Sequence, residues 1–440
     1  MGAGAAVAGP PALRRGLTLA TAAALAVGNQ LGTSLYNLPS SLAQLVGPAA
    51  LLSWGITALG FWALAELFAR LGERMPATGG PAAFVREALG PGWGFVTAWS
   101  FWGSVAIGNA GIALGTVAYV GQFVPGLDTS APLRAGTAAA LLWGCVWLNV
   151  RGVREAGRVT FGLVALQLVP VLLLVAALAW FDASNLQPFA PRGLGAVGTG
   201  VALVIWGFSG VESATISAEE VRGDPSAVAR ATRIGFWVAA GAYLLAAVAL
   251  AGVVPSAALG GTSRPLALIA ERTVGSLGAT AMSLVAIAGG LACLNGWVLV
   301  VGRLPLASAA LMPRGLTAVH PAHGTPHVAL VVGTLVSTAF VALQVRTEAV
   351  AAFGRLVLIA NVGILVPYLL TAVAAWRLAP ASGVTAWRGL ALVAGAFSIA
   401  AIAAAGTEAL VVGGLFLAVG AGLYVLARRR QGPTTHERAA

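Results

Sequence analysis

Two stretches of this chain set helix-breaking and hydrogen-bonding residues inside otherwise apolar runs. They are Gly28-Asn29-Gln30-Leu31-Gly32-Thr33-Ser34 and Trp206-Gly207-Phe208-Ser209-Gly210-Val211-Glu212. Each run is long enough to cross a bilayer. Lipid cannot satisfy free backbone N–H and C=O groups, so an interruption at that depth must be surrounded by protein or by a hydrated cavity. The chemistry available to such a pair is ion recognition by the backbone: a helix N-terminus binds anions, and a C-terminal end offers carbonyls to cations. A zwitterion carries both charges a few ångströms apart. Two interrupted helices crossing at mid-membrane could hold it without many charged side chains, and a matching pair of breaks in two halves of a chain is the sequence pointer to a transport site.

Few ionisable side chains accompany these breaks, and those inside a membrane are costly and usually functional. Glu212 follows the second break directly, with no opposite charge near it in sequence. It reads either as a proton-exchanging carboxyl or as a hydrogen-bonded structural one. Glu66 lies four residues before Arg70, the spacing of a helical ion pair, and Arg355 is close enough to a span end to snorkel. Gly28-x-x-x-Gly32 is also a small-residue helix-packing motif, whereas Thr33, Ser34 and Asn37 argue for a polar cavity. Trp206 and Trp297 are too deep in their spans for an interfacial belt, so they read as cavity wall or gate. An indole face also suits a cationic or aliphatic substrate end.

The elements that must position these groups are membrane helices. Of 440 residues, 58% are hydrophobic and only 9% charged, against roughly 25% charged in ordinary soluble domains. Taking about 20 residues per span, the pattern predicts about twelve transmembrane helices in an all-α membrane protein. They fall near 16–45, 48–69, 93–123, 133–150, 159–181, 195–218, 232–254, 276–303, 326–345, 349–376, 387–406 and 408–427. A cytoplasmic tail is expected over 428–440. All 25 basic residues are arginines. With the N-terminus inside, nineteen fall in cytoplasmic segments and five (Arg134, Arg192, Arg264, Arg272, Arg346) outside, with Arg355 at a span end. That asymmetry predicts a multi-pass protein with both termini cytoplasmic.

Other functions find little support. The +11 net charge lies between apolar spans, where it sets topology, so no nucleic-acid partner is expected. Cys145 and Cys293 each sit mid-span as small buried hydrophobes. His320-x-x-His323-x-x-x-His327 has metal-like spacing, but Pro321 and Pro326 interrupt it and no acidic ligand is near, so neither metal nor cofactor is expected. An enzyme would need clustered His, Asp or Glu at an interface, and a channel a continuous polar path. Arg14-Arg15 and the apolar run after it imitate a signal peptide, but the run continues past Asn29-Gln30 to Ser40-Ser41 and reads as an uncleaved first span.

The motifs jointly resemble the amino acid–polyamine–organocation superfamily, most closely its bacterial arginine/agmatine-type antiporters, over essentially the whole chain. They comprise Gly28 to Pro39 (Gly-Asn-x-x-Gly-Thr-Ser…Leu-Pro), Trp206 to Ser213, Gly79-Gly80, Gly108-Asn109, Gly296-Trp297 and Val366-Pro367-Tyr368, in the family's order. The resemblance implies a leucine-transporter-like fold of two inverted five-helix repeats, approximately 16–181 and 195–376, plus two C-terminal helices at 387–427. It implies that Gly32, Thr33 and Ser34 hold the substrate carboxylate, and that carbonyls of Gln30, Trp206 and Ser209 hold its ammonium. Ser104, Val105, Asn109, Trp297 and Ala360 would line the side-chain pocket. Phe101, Glu212 and Tyr368 would form an outer gate, with Trp206 closing over substrate.

Three departures make the pocket less polar: Ser34 stands where the family has a third glycine, Phe101 lacks a tyrosine hydroxyl, and Ala360 replaces a common serine. Ala360-Asn361 and Cys293-Leu294-Asn295 also resemble bacterial methionine/branched-chain exporters. With no lysine, the chain cannot use the fifth-span lysine that some members have in place of sodium. The expected function is thus an amino acid or amine permease/antiporter of the bacterial cytoplasmic membrane, exchanging or proton-linked through Glu212. A neutral amino acid exporter is the alternative. The partners are a small-molecule substrate and the lipid bilayer, and a homodimer is one assembly the sequence leaves open.

Overall fold

The computed structural model describes residues 18–75, 80–151, 169–216, 226–307 and 315–431, with positions 166, 221, 224, 312 and 313 between them. Gly79, Arg14, Arg15, Arg154, Arg158, Arg222, Arg314, Arg438 and most of 159–168 lie outside the described residues. Among the described residues every α or 3-10 element is helical and no strand occurs. In chain order the helices are α1 (Leu19–Leu31), α2 (Ser34–Leu45), α3 (Ala50–Arg74), α4 (Gly80–Leu89), α5 (Pro91–Val120), α6 (Ala131–Arg151), α7 (Val169–Ala177), α8 (Ala196–Phe208) and α9 (Ser213–Ile216). They continue with α10 (Ser226–Val253), α11 (Ser256–Gly260), α12 (Pro265–Val274), α13 (Ser276–Ala307), α14 (His327–Leu343), α15 (Ala349–Arg377), α16 (Val384–Ala404) and α17 (Thr407–Gln431).

Eight described helices are long and apolar enough to cross a membrane. The other four expected spans are shorter or broken helices: α1 with α2, the stretch Val169–Trp180, α8 with α9, and α14. One boundary differs from expectation at the C-terminus. Helix α17 runs through Arg428–Arg430 to Gln431, into the segment expected as a tail, because Leu426, Ala427 and three arginines are all good helix formers.

The first interruption is narrower than its glycine pattern suggests. Helix continues through Gly28 and Asn29 and ends at Gly32, whose N–H reaches Gly28 O at 3.3 Å. The cause is a close approach, not only propensity. A methyl group on Gly32 would lie 2.7 Å from Cys293 Sγ of α13. Helix α2 then restarts at Ser34 with no side-chain cap. In the sixth span, α8 stops at Phe208; Gly210 has φ +102, a conformation that glycine adopts at little cost.

The two interruptions touch. A methyl on Gly210 would sit 3.1 Å from Asn29 Cβ and 3.3 Å from its carbonyl carbon. Across the same contact, Asn29 Nδ2 donates to Ser213 Oγ at 2.9 Å.

Helix α5 forms the centre of the bundle. Its membrane window is 94% buried, against 17% for α17, so α5 is sheathed by protein and α17 faces outward. Helices α15, α13, α4 and α14 pack most closely on α5, with α6 and one side of α17 also against it. Leu59, Leu277 and Leu343 are exposed on the perimeter, as expected where lipid replaces water.

The expected Glu66–Arg70 pair is present at 2.8 Å and is larger than a local pair. Arg233 of α10 adds two bonds to the same carboxylate, Nε to Oε2 at 2.8 Å and Nη2 to Oε1 at 2.9 Å. Arg355 pairs with Glu408 at the start of α17.

Candidate functional site

The residues expected at the site are all buried. Helix α1 ends there on carbonyls and α2 begins on N–H groups. The first turn of any helix leaves such N–H groups without internal acceptors, and no side chain caps these. Helix α8 contributes a second carbonyl end. Along α5, Gly108 makes room for Trp206: a methyl there would meet the indole at 2.2 Å. Asn109 is the next residue. Trp297, one turn beyond Cys293 on α13, forms the opposite wall, and Phe101 meets it edge-on with ring centroids 6.5 Å apart.

Several expected groups are already engaged. Ser104 Oγ donates to Ala360 O at 2.7 Å, a bond that ties α5 to α15. Ser209 Oγ donates to Trp206 O at 2.7 Å. The Gln30 amide turns away from the break: its Nε2 donates to Ala26 O at 2.9 Å and lies beside Gly235 of α10. Only the Gln30 carbonyl is therefore available for the role expected of it, and Tyr243 Oη already donates to that carbonyl at 2.5 Å. Ser34 lies within hydrogen-bonding reach of the same tyrosine hydroxyl.

Other polar atoms of the expected site residues are buried with no partner: Thr33 Oγ1, Asn109 Oδ1 and Glu212 Oε1. An unpaired buried acceptor costs roughly 1–3 kcal/mol, so a cluster of them marks a place where a ligand or water supplies the missing donors.

Glu212 and Tyr368 do meet. Tyr368 Oη donates to Glu212 Oε2 at 2.7 Å, and the Gly210 N–H reaches the same oxygen at 3.2 Å. The pair sits against α3. The Tyr368 ring packs edge-on to Phe68 and Phe61 of α3, near the bundle end where Arg377 reaches Ala88 O of α4. That is the arginine-rich end of the bundle. Phe101 belongs with Trp297 instead.

Sequence reasoning missed Tyr243 and underrated Cys293. Tyr243 is the one tyrosine of its own apolar span, 232–254, a signal that could have drawn attention. The Cys293 thiol sits against the Thr33 backbone and Trp297. Nothing in sequence announces that contact.

Two interrupted helices thus meet beside buried polar groups without partners, in a bundle of membrane-length helices with a leucine-transporter-like fold. A solved manganese transporter mutant from Eremococcus coleocola shares this architecture, with a TM-score of 0.58 over 93% of both chains at 12% identity. The family model described as amino acid permease matches residues 17–420. The chain belongs to that family, within the amino acid–polyamine–organocation superfamily.

Among curated relatives, it is 31% identical over 288 residues to the cadaverine/lysine antiporter of Escherichia coli strain K12, a match covering 64% of each chain. It is 32% identical over 312 residues to the arginine/ornithine antiporter of Pseudomonas aeruginosa, covering 67% of this chain and 63% of that one. The putrescine transporter of Haemophilus influenzae is 26% identical, covering 91% and 94%. The first two matches span just under two thirds of those relatives' length.

Proposed function

We propose that this protein is an antiporter of the bacterial cytoplasmic membrane that exchanges a cationic amino acid for a related amino acid or amine by alternating access. The observation that carries the reading is the contact between the two breaks, Gly210 against Asn29 with Asn29 bonded to Ser213, beside the unpartnered Thr33, Asn109 and Glu212 oxygens. In this reading the substrate carboxylate binds the uncapped start of α2 at Gly32, Thr33 and Ser34. Its ammonium binds the carbonyls of Gln30, Trp206 and Ser209, displacing the Tyr243 and Ser209 hydroxyls. Ser104, Val105, Asn109, Trp297 and Ala360 surround the side chain. Glu212 with Tyr368 gates the inner side and exchanges protons. The two repeats, 16–181 and 195–376, would supply one broken helix each, with both termini cytoplasmic.

The relatives named for arginine/ornithine and cadaverine/lysine exchange support a substrate with a cationic side chain, for which Asn109 Oδ1 and the Trp297 face are suitable partners. Counterflow in proteoliposomes tests the proposal. Vesicles loaded with unlabelled L-arginine, L-ornithine or L-lysine should accumulate the labelled amino acid saturably. Flux that neither saturates nor responds to internal substrate would refute exchange.

A further inference from the structure

At the bundle face where α2 ends and α15 begins lies a recess separate from the broken helices. It has a volume of about 370 Å³ and is lined by Asp128, Arg134, Thr262, Arg264, Glu348 and Ala349, among others. That volume lies at the lower end of the range for small-molecule sites and suits one amino acid. Its charges alternate: two carboxylates and two guanidinium groups. Arg264 Nη1 donates to Asp128 Oδ2 at 3.0 Å and to Ala118 O at 3.2 Å. Arg134 Nη2 donates to Thr347 O at 3.1 Å, and Glu348 caps α15 through the N–H groups of Val350 and Ala351.

The recess is not a dead end. Its walls Ala118, Ser263 and Ala349 continue into a narrow cleft that also contains Asn37, Ser40 and Ser41. The cleft holds only about 10 Å³, room for about one water. Ser40 Oγ, on a residue 1% exposed, has no partner there. At the inner end Asn37 Nδ2 donates to Thr33 O at 3.1 Å, which is the first break itself. The cleft, which Leu114, Val350 and Phe353 also line, therefore joins the wall of the recess to the residues beside the first break.

We infer that this recess is a capture site for the zwitterionic end of an α-amino acid, ahead of the broken-helix site. The inference rests on the transporter reading above and deepens it. The amino acid inserts into the ion pair, its carboxylate taking Arg264 and its ammonium taking Asp128, so the charges remain matched at each step. A lone anion or cation gains little from a recess whose own charges cancel; a zwitterion gains at both ends. Because the pair ties the Gly261–Arg264 segment to the loop after α5, its separation also loosens the neck toward Ser40. A diamine lacks the carboxylate and engages Asp128 alone.

Counterflow with L-ornithine and with putrescine, its decarboxylated counterpart, tests this in vesicles assayed from each face separately. From the recess face, Arg264→Gln should raise KM for L-ornithine by roughly threefold to tenfold, the range for exposed to half-buried charge contacts. It should leave KM or the competition constant for putrescine within about twofold, as expected of a contact to the carboxylate alone. Asp128→Asn should raise KM for L-ornithine and that for putrescine by less, Arg264→Lys should restore most of the loss, and KM from the opposite face should not change. Unchanged KM in both neutralised variants would overturn the capture site, and so would an equal rise from both faces, which would mean action through the fold. If the unaltered protein shows no counterflow, the transporter reading fails and takes the capture site with it.

Discussion

Tyr243→Phe removes one hydroxyl and nothing else, at the carbonyl expected to receive the substrate ammonium. The Gln30 carbonyl lies in the last turn of α1. Its regular helical partner would be the Ser34 N–H, on the far side of the break, so Tyr243 Oη is the donor that satisfies it, at 2.5 Å. Both residues are buried, Gln30 1% and Tyr243 0% exposed. Water therefore cannot replace the hydroxyl cheaply. Leaving a buried carbonyl short of a donor costs about 1–3 kcal/mol, and that cost falls on the substrate-free state alone if the ammonium displaces the hydroxyl. Substrate affinity in the variant should then rise, by roughly fivefold to a hundredfold at 1.4 kcal/mol per decade, while the substrate-free protein melts at a lower temperature. Tryptophan fluorescence titration of purified protein, with Trp206 and Trp297 beside the site, reads the first quantity, and a thermal unfolding curve reads the second. Weaker binding in the variant would mean that hydroxyl and ammonium share the carbonyl, and would refute displacement. Unaltered affinity together with an unaltered melting temperature would mean that the bond carries no weight.

Gly32→Ala should cost roughly 1–3 kcal/mol through overpacking, because the new methyl lies 2.7 Å from Cys293 Sγ; adding Cys293→Ala should recover much of the loss in melting temperature and transport, whereas no recovery would locate the strain elsewhere. Glu212→Gln keeps a group that can accept from Tyr368 but cannot titrate, so the rate of exchange should lose most of its dependence on pH between about 5 and 8, the range in which buried carboxyls can exchange protons; a profile parallel to that of the parent protein would remove Glu212 from proton handling. Glu66→Gln strips the shared acceptor from Arg70 and Arg233, both partly exposed. After allowance for screening by solvent the loss should be about 1–2 kcal/mol, visible as a lower melting temperature whose difference narrows in high salt, and an unchanged melting temperature would show the network to be passive.

Much of the architecture was legible because membrane burial writes itself into composition. Long apolar runs separated by arginines marked the stretches now seen as α3, α5, α6, α10 and α13 to α17, and a glycine beside hydroxyl residues marked both interruptions. The breadth of each break was not legible. Gly28 and Asn29 remain helical, whereas Gly32 is held close to a thiol from α13, 261 residues later in the chain. The partners of buried polar groups were equally hidden. Glu66 announced Arg70 by its four-residue spacing, but the stronger bidentate contact comes from Arg233, which only packing of α3 on α10 brings near. Gln30 was expected by its place in the motif, yet its amide faces α10, because side-chain direction follows the local neighbours of a helix and not the pattern of its residue types. Glu212 and Tyr368 illustrate the same limit: both were foreseen, while the end of the bundle they lie nearer depends on how far along α15 the tyrosine falls.

The bond from Asn29 to Ser213, with Gly210 wedged against the same asparagine, has a mechanical corollary. Neither hinge can swing independently, since tilting α1 pulls directly on the short helix that follows the other gap. Under the proposed exchange mechanism, opening toward either side of the bilayer would be a single coordinated stroke, and a substitution that severed this link would let one arm move without its counterpart, turning tight exchange into slippage.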